Sequence, residues 1–247
     1  MSNLALVCTL VFVAVTMVLS LRQKLGLEKE IAIGTVRSAV QLLFIGYVLH
    51  FVFDTKQPLF IVLILAAMIA VASWNAGGRV KHIPGIRLRI AAALCCTEAV
   101  TMGLMLGLGI IDPTPQYIIP VSGITIGSSM IVCGLFLNQM KRELESARGE
   151  IEALLALGAT ARQAIRGAVK RSVRSSMIPT IDGMKTVGLV QLPGMMTGMI
   201  VAGADPVEAV RYQILIMFVL ASSAALTAML LGRLSDRLWF TKDERLR

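Results

Sequence analysis

The residues able to do chemistry in this chain are few, and most sit in apolar runs. Arg37 and Gln41 are four apart, which puts both on one face of a helix. Glu98 is a single acid in a second run, placed deep enough that burying it ionised is costly. A third run, GMKTVGLVQLPGMMTGMIVAG from Gly183 to Gly203, gathers Gln191, Pro193, Gly194, Met195, Met196 and Met199 about one proline. Polar groups at membrane depth face a bundle interior or a water-filled path. Arg37, Gln41, Gln191, Pro193, Gly194, Met195, Met196 and Met199 are therefore candidates for lining a translocation path. The alternative for Arg37 is snorkelling to the surface. Glu98 is either protonated, paired with Arg37, or part of a path. Met195, Met196 and Met199 are candidate metal ligands, although thioethers suit soft ions such as Cu(I) better than ferrous iron. Packing is the plainer role for them.

Other chemistries are excluded. His50 and His82 fall on opposite sides of the membrane in the topology given below, and no pair of carboxylates is placed for acid–base catalysis, so no catalytic residue is assigned. Lys185-Thr186 evokes a phosphate loop, but Met184 stands where that motif needs glycine and no strand precedes it. Without a phosphate loop the chain is not itself a conventional ATPase, and no cofactor is expected in it. Cys8, Cys95, Cys96 and Cys133 lack C-x-x-C spacing and read as small buried hydrophobes.

The elements that must position these residues are membrane helices. The chain is 56% hydrophobic and 16% charged over 247 residues. Its apolar runs approach twenty residues, enough to cross about 30 Å of hydrocarbon. The expected fold is one all-α integral membrane domain, residues 1–247, with seven spans at about 4–21, 32–53, 58–74, 88–111, 117–137, 184–203 and 207–232. The first run lacks a preceding basic stretch and a small-x-small cleavage site, so it reads as a retained span. The net charge of +9 reports orientation here, not nucleic-acid binding. Of the 24 lysines and arginines, all but Arg37, Lys56, Lys185 and Arg211 follow spans one, three, five and seven. That asymmetry predicts an outside N-terminus and a cytoplasmic C-terminus, in the cell's inner (plasma) membrane. Trp74 and the pair Trp239-Phe240 read as interfacial anchors. Ser122, Thr125 and Ser129, with Gly123 and Gly127, read as a helix-packing face, and Gly194-x-x-x-Gly198 as a second.

Residues 138–183 form the longest polar segment, between spans five and six. Leu144, Ile151, Leu154 and Leu155 fall at helical spacing, and Gly158 follows as a stop. Thr160-Ala-Arg-Gln163 is a capping box that opens a second helix, along which Arg162, Arg166, Lys170 and Arg174 make a basic stripe. Anionic lipid head groups alone would account for the stripe. Leu154 and Leu155 need a place to be buried, which the bilayer surface or a cytoplasmic partner must supply.

The string Glu152-Ala153-Leu154-Leu155-Ala156-Leu157-Gly158-Ala159-Thr160 resembles the E-A-A-x-x-x-G coupling motif of ABC-transporter permeases. The order ALGAT…IPTIDGMKTVGLVQLPGMMTGMIVAGADPVEAVRYQI, with VRSAVQLLFIGYVL, SWNA and IIPVSGITIG upstream, resembles the FetB-type family of iron-export ABC permeases, which includes plant aluminium-tolerance proteins. The resemblance covers nearly the whole chain. It implies a permease exporting iron or another metal cation, with Glu152, Ala153, Leu154, Leu155, Gly158, Ala159 and Thr160 coupling it to an ATPase. It further implies a permease homodimer paired with two ATPase subunits, which bind the ATP and Mg²⁺. Ile178-Pro179 lies farther beyond Gly158 than the Leu-Pro of importer-type motifs, so importer mechanics do not transfer. A permease for a nucleotide sugar or peptide, and a membrane scaffold without transport, are the alternatives.

Overall fold

The computed structural model describes residues 8–55, 58–80, 83–241 and 246. They belong to two units, Met1–Gln57 and Pro58–Arg247. Among the described residues the regular elements are helices, and strand-like pairing is limited to isolated bridges such as Val187–Gln191. His82 and the start of the first expected span, residues 4–7, lie outside the described residues.

The first unit is a pair of helices, α1 (Leu10–Arg22) and α2 (Glu28–Thr55), packed on each other. One serine fixes the turn between them. Ser20, 2% exposed, donates its hydroxyl to Glu28 Oε1 at 2.8 Å and accepts from the Leu27 amide at 3.3 Å. Lys24 and Gly26 turn the backbone with φ of 52° and 70°.

The second unit runs α3 (Pro58–Gly77), α4 (Ile86–Gly107), α5 (Pro115–Ser146), α6 (Arg148–Ala156), α7 (Ala161–Ala164), α8 (Arg166–Thr186), α9 (Gly194–Val201) and α10 (Pro206–Ser235). Short 3₁₀ turns follow α3 and α10, at Gly78–Val80 and Asp236–Trp239. α5 is the axis of the unit and touches α3, α4, α8 and α10. Its 32 residues make a rod of roughly 48 Å at 1.5 Å per residue, longer than the hydrocarbon layer, so its C-terminal turns project beyond it. The main core is built there. Phe136, Leu137 and Met140 of α5 meet Ile151 of α6, Ile165 between α7 and α8, and Leu231 of α10.

Five helices are long and apolar enough to cross a membrane: Glu28–His50, Pro58–Val80, Ile86–Gly107, Pro115–Ser146 and Pro206–Trp239. The protein is an all-α, multi-pass membrane protein. These helices match expected spans two, three, four, five and seven. The first expected span is represented by the 13-residue α1. The sixth is not one helix. α8 ends at Thr186, seven residues of turn follow, and α9 has only 8 residues. Thr186 carbonyl accepts from the amides of Leu189, Val190 and Gln191, and Gly188 adopts φ 83°, so the chain has turned before Pro193 is reached.

Between helices in lipid, close packing replaces the hydrophobic effect as the cohesive force, and small residues permit it. The glycines used for this differ from those expected. Gly232 meets Val169 and Phe136, and Gly134 meets the Arg79 side chain. By contrast, a Cβ on Gly127, Gly194 or Gly198 would have nothing within 4 Å, and one on Gly123 would reach only the Met68 methyl at 3.8 Å. Trp239 and Phe240 are also not surface anchors. They are 4% and 5% exposed and belong to the main core, folded back by the 3₁₀ turn after α10.

Candidate functional site

Two places in the second unit hold sequence-predicted residues, and α8 runs between them. The first is the helix–glycine–helix at α6 and α7. α6 is amphipathic: Ile151 is 2% exposed in the main core, and Leu154 and Leu155 pack against that core. The expectation that the bilayer surface or a partner must supply their whole burial site is thereby narrowed. Tertiary packing against the chain's own core covers them in part, leaving both half-buried.

Gly158 ends the helix with φ 89°, a conformation that costs a Cβ-bearing residue about 1–2 kcal/mol. Its amide donates to Leu155 carbonyl at 3.0 Å, and the Ala159 amide donates to Leu154 carbonyl at 3.0 Å. The capping box is present in full. The Gln163 amide donates to Thr160 Oγ1 at 3.4 Å, and the Thr160 amide donates to Gln163 Oε1 at 2.9 Å.

What the turn leaves outside is specific. Glu152 and Ala153 are exposed, Glu152 being paired with Arg148 at 2.9 Å on its own helix. Leu157, the residue that follows α6, is 85% exposed, whereas Ile151 of the same helix is buried in the core. Sequence patterning gave Leu157 no separate role, because an apolar residue next to Leu154 and Leu155 reads as part of the same buried face.

The basic stripe is partly consumed within the fold. Arg162 pairs with Asp236 at 3.1 Å, and Arg171, off the stripe, pairs with Glu143 at 2.6 Å. Glu143 lies on the projecting end of α5, and the Arg171 hydrogen bond holds its carboxyl below the usual carboxylate value. Arg166, Lys170 and Arg174 remain exposed.

The second place is a cavity of about 440 Å³ among α5, α8, α10 and the turn before α9. Gln191, Pro193 and Met195 of the predicted path line it; Gly194, Met196 and Met199 do not. Met195 also packs on a small core of Met102, Met105 and Ile216, which favours packing over ligation for its thioether. Arg37 and Gln41 are exposed residues of α2 in the first unit, while the cavity is built wholly from second-unit residues. Sequence reasoning missed Ser176, Thr180 and Gln213, which also line it. Gln213 is 5% exposed and its Oε1 has no hydrogen-bond partner among the described residues. A lone amide in the apolar run of the last span was the signal available for it. Among the described residues, none that lines the cavity carries a charge. Among the described residues no group of three or more His, Cys, Asp or Glu side chains is placed to hold a metal ion.

α8 connects the two places. It starts beside the capping box, and its later residues Ser176, Pro179, Thr180 and Gly183 form one wall of the cavity. The helix is 21 residues long, roughly 31 Å, and packs on both α5 and α10.

Comparison with known proteins places this geometry in a family. Residues 3–240 match the model of an "Uncharacterised protein family (UPF0014)". The chain is 46% identical to "UPF0014 membrane protein YjkA" of Bacillus subtilis over 100% of its own length and 99% of the relative's. It is 35% identical to "Probable iron export permease protein FetB" of Escherichia coli, covering 99% of this chain and 95% of that one. It is 37% identical to "Protein ALUMINUM SENSITIVE 3" of Arabidopsis thaliana, over 96% and 87% of the two chains. No solved structure matches it.

Proposed function

The chain belongs to the UPF0014 family, and from that premise we propose that it is the membrane-spanning permease subunit of an ABC transporter. ATP and Mg²⁺ are bound by a separate ATPase chain, two copies of which dock on a permease homodimer. The cargo is iron or another metal cation moved outward, a reading that rests on the printed name of the Escherichia coli relative. The topology is seven membrane crossings with the N-terminus outside, the sixth made by the broken α8–α9 segment, and α6 lies in the cytoplasm.

The observation that carries this reading is the form of α6. Ile151, Leu154 and Leu155 hold the helix to the core, while Gly158 turns the chain so that Leu157 stands out at 85% exposure. An apolar residue held out on a rigid support suits a cleft in a partner protein. Closure of the ATPase pair would push on α6, and α8 would carry the displacement to the cavity wall at Ser176–Gly183. Glu152, Ala153, Leu154, Leu155, Gly158, Ala159 and Thr160 are the coupling residues. Gln191, Pro193, Gly194, Met195, Met196 and Met199 belong to the cargo end, with Arg37 and Gln41 as first-unit candidates.

One observation favours a second reading of the cargo. The cavity presents amides, hydroxyls and apolar side chains without a carboxylate, which suits an uncharged organic molecule better than a bare cation. Reconstitution with the cognate ATPase decides between them: vesicle uptake or release is measured for metal ions and for organic candidates, and ATPase stimulation is recorded alongside. Glu152→Ala and Gly158→Pro are expected to weaken ATPase association or uncouple hydrolysis from transport. Wild-type assembly and transport in both variants would remove the coupling role, and failure to bind any ATPase would leave a scaffold.

A further inference from the structure

Glu98 is a buried acid that the permease reading does not use. It lies on α4 at 5% exposure, and α4 packs on α3, α5 and α10. The Thr125 hydroxyl of α5 donates to Glu98 Oε2 at 2.7 Å, and Ser122, one turn earlier on α5, stands beside the same carboxyl. Glu98 Oε1 and Ser122 Oγ are both fully buried, and neither has a hydrogen-bond partner among the described residues. Both are side-chain atoms of residues more than nine-tenths buried. On the adjoining side of α4, Thr227 of α10 donates to Thr97 Oγ1 at 2.9 Å, so the interior here is polar through hydroxyls alone.

Among the described residues the Glu98 carboxyl is hydrogen-bonded by no titratable group of the surrounding elements. α3 carries none. α5 carries Tyr117 and Cys133, then Lys141, Arg142, Glu143 and Glu145 on its projecting end. α10 carries Glu208, Arg211, Tyr212 and Arg233, and α4 itself carries Arg87, Arg89, Cys95 and Cys96. The groups that face the Glu98 carboxyl are Ser122 and Thr125.

A carboxylate buried without a cation is costly, and two ligands would relieve it, a metal ion or a proton. Divalent hard metals require about six or more oxygens. This site offers one carboxylate and neighbouring hydroxyls, and no metal-holding group of acids, histidines or cysteines exists among the described residues. A proton needs a single acceptor and a single onward partner. The two orphaned atoms, Glu98 Oε1 and Ser122 Oγ, are that pair.

We propose that Glu98 is a proton-binding site at the α4–α5 interface, its Oε1 carrying the proton toward Ser122 Oγ while Oε2 accepts from Thr125. Protonated, it satisfies the interface; emptied, it leaves a bare carboxylate between two membrane helices, so the ligand also ties α4 to α5.

The test is infrared difference spectroscopy of the full chain in lipid nanodiscs at neutral pH, in H₂O and D₂O. The wild type should show a carboxylic-acid C=O band that shifts down in D₂O and is lost in Glu98→Gln. Ser122→Ala should move the band without abolishing it, and serves as the second variant if Glu98→Gln does not fold. Additions of NaCl and MnCl₂ should leave the band unchanged. No such band in the wild type, or a band abolished by Mn²⁺ or Na⁺, would overturn the proposal, the latter in favour of a cation site.

Discussion

Truncating Leu157 separates docking from folding. The side chain is 85% exposed, so Leu157→Ala removes almost no contact within the chain. Leu and Ala have nearly equal helix propensities, and the stability of the isolated protein should stay within about 0.5 kcal/mol of wild type. If a partner cleft buries the leucine, its loss removes about 1.5–3 kcal/mol of association, or roughly a 10- to 150-fold weaker Kd. Ile151→Ala is the contrasting control. At 2% exposure in the main core, its truncation should cost the protein itself about 2–4 kcal/mol. The assay pairs thermal unfolding of the purified chain in nanodiscs with titration of the purified cognate ATPase onto it. Leu157→Ala should shift only the second measurement, and Ile151→Ala the first. An unchanged Kd in both Leu157→Ala and Leu157→Asp would refute the reasoning, because an aspartate cannot enter an apolar cleft without penalty.

Thr160→Ala removes the capping-box hydroxyl that accepts from the Gln163 amide, and should cost about 1 kcal/mol locally, read as faster amide exchange over residues 161–165. Gln213→Leu replaces a buried amide whose Oε1 is unpartnered, and should hold or raise thermal stability by about 1–3 kcal/mol while lowering transport through the adjoining cavity. The Glu143–Arg171 tie gives a pH dependence. Glu143 has its folded value lowered, so its stabilising contribution is present above the ordinary carboxylate range and is lost as pH falls through the lowered value. Arg171→Ala should therefore flatten the acid limb of the stability profile, measured as unfolding temperature between neutral and acid pH.

How much of this was legible in sequence follows from the range of the interactions concerned. Gly158 and the Thr160–Gln163 box were readable because each is closed within a few residues, by a positive φ and two reciprocal hydrogen bonds. The half-burial of Leu154 and Leu155 against the core was not, since it depends on α5 and α8 arriving from elsewhere in the chain. Trp239 failed for the same reason. Its position beside a basic tail matches an interfacial anchor, and only the 3₁₀ turn after α10 folds it inward. The glycine pairs show that small-xxx-small spacing marks a face able to pack closely without saying which faces meet. Gln213 carried a signal that was passed over, a single amide in an apolar helix.

The broken sixth span shows the deeper reason. A reading by hydropathy cuts the chain at membrane boundaries, and helices need not obey them. α5 continues without interruption from apolar Ile119 to charged Glu143, and α8 begins in the basic loop and ends in the cavity wall. Hydropathy marks Gly183–Gly203 as one span, and its glycines, Gln191 and Pro193 make it irregular, with Pro193 suggesting a kink or break. The break is set earlier, by Thr186 carbonyl gathering three amides and by Gly188 reversing the chain. α8 therefore arrives at the cavity as a helix end and not as a through-helix. Carbonyls of its last turn are satisfied locally, by the Thr186 hydroxyl on Asp182 and by amides of the 187–193 turn on Gly183 and Thr186, so the helix end is closed by the turn and not by a following helix.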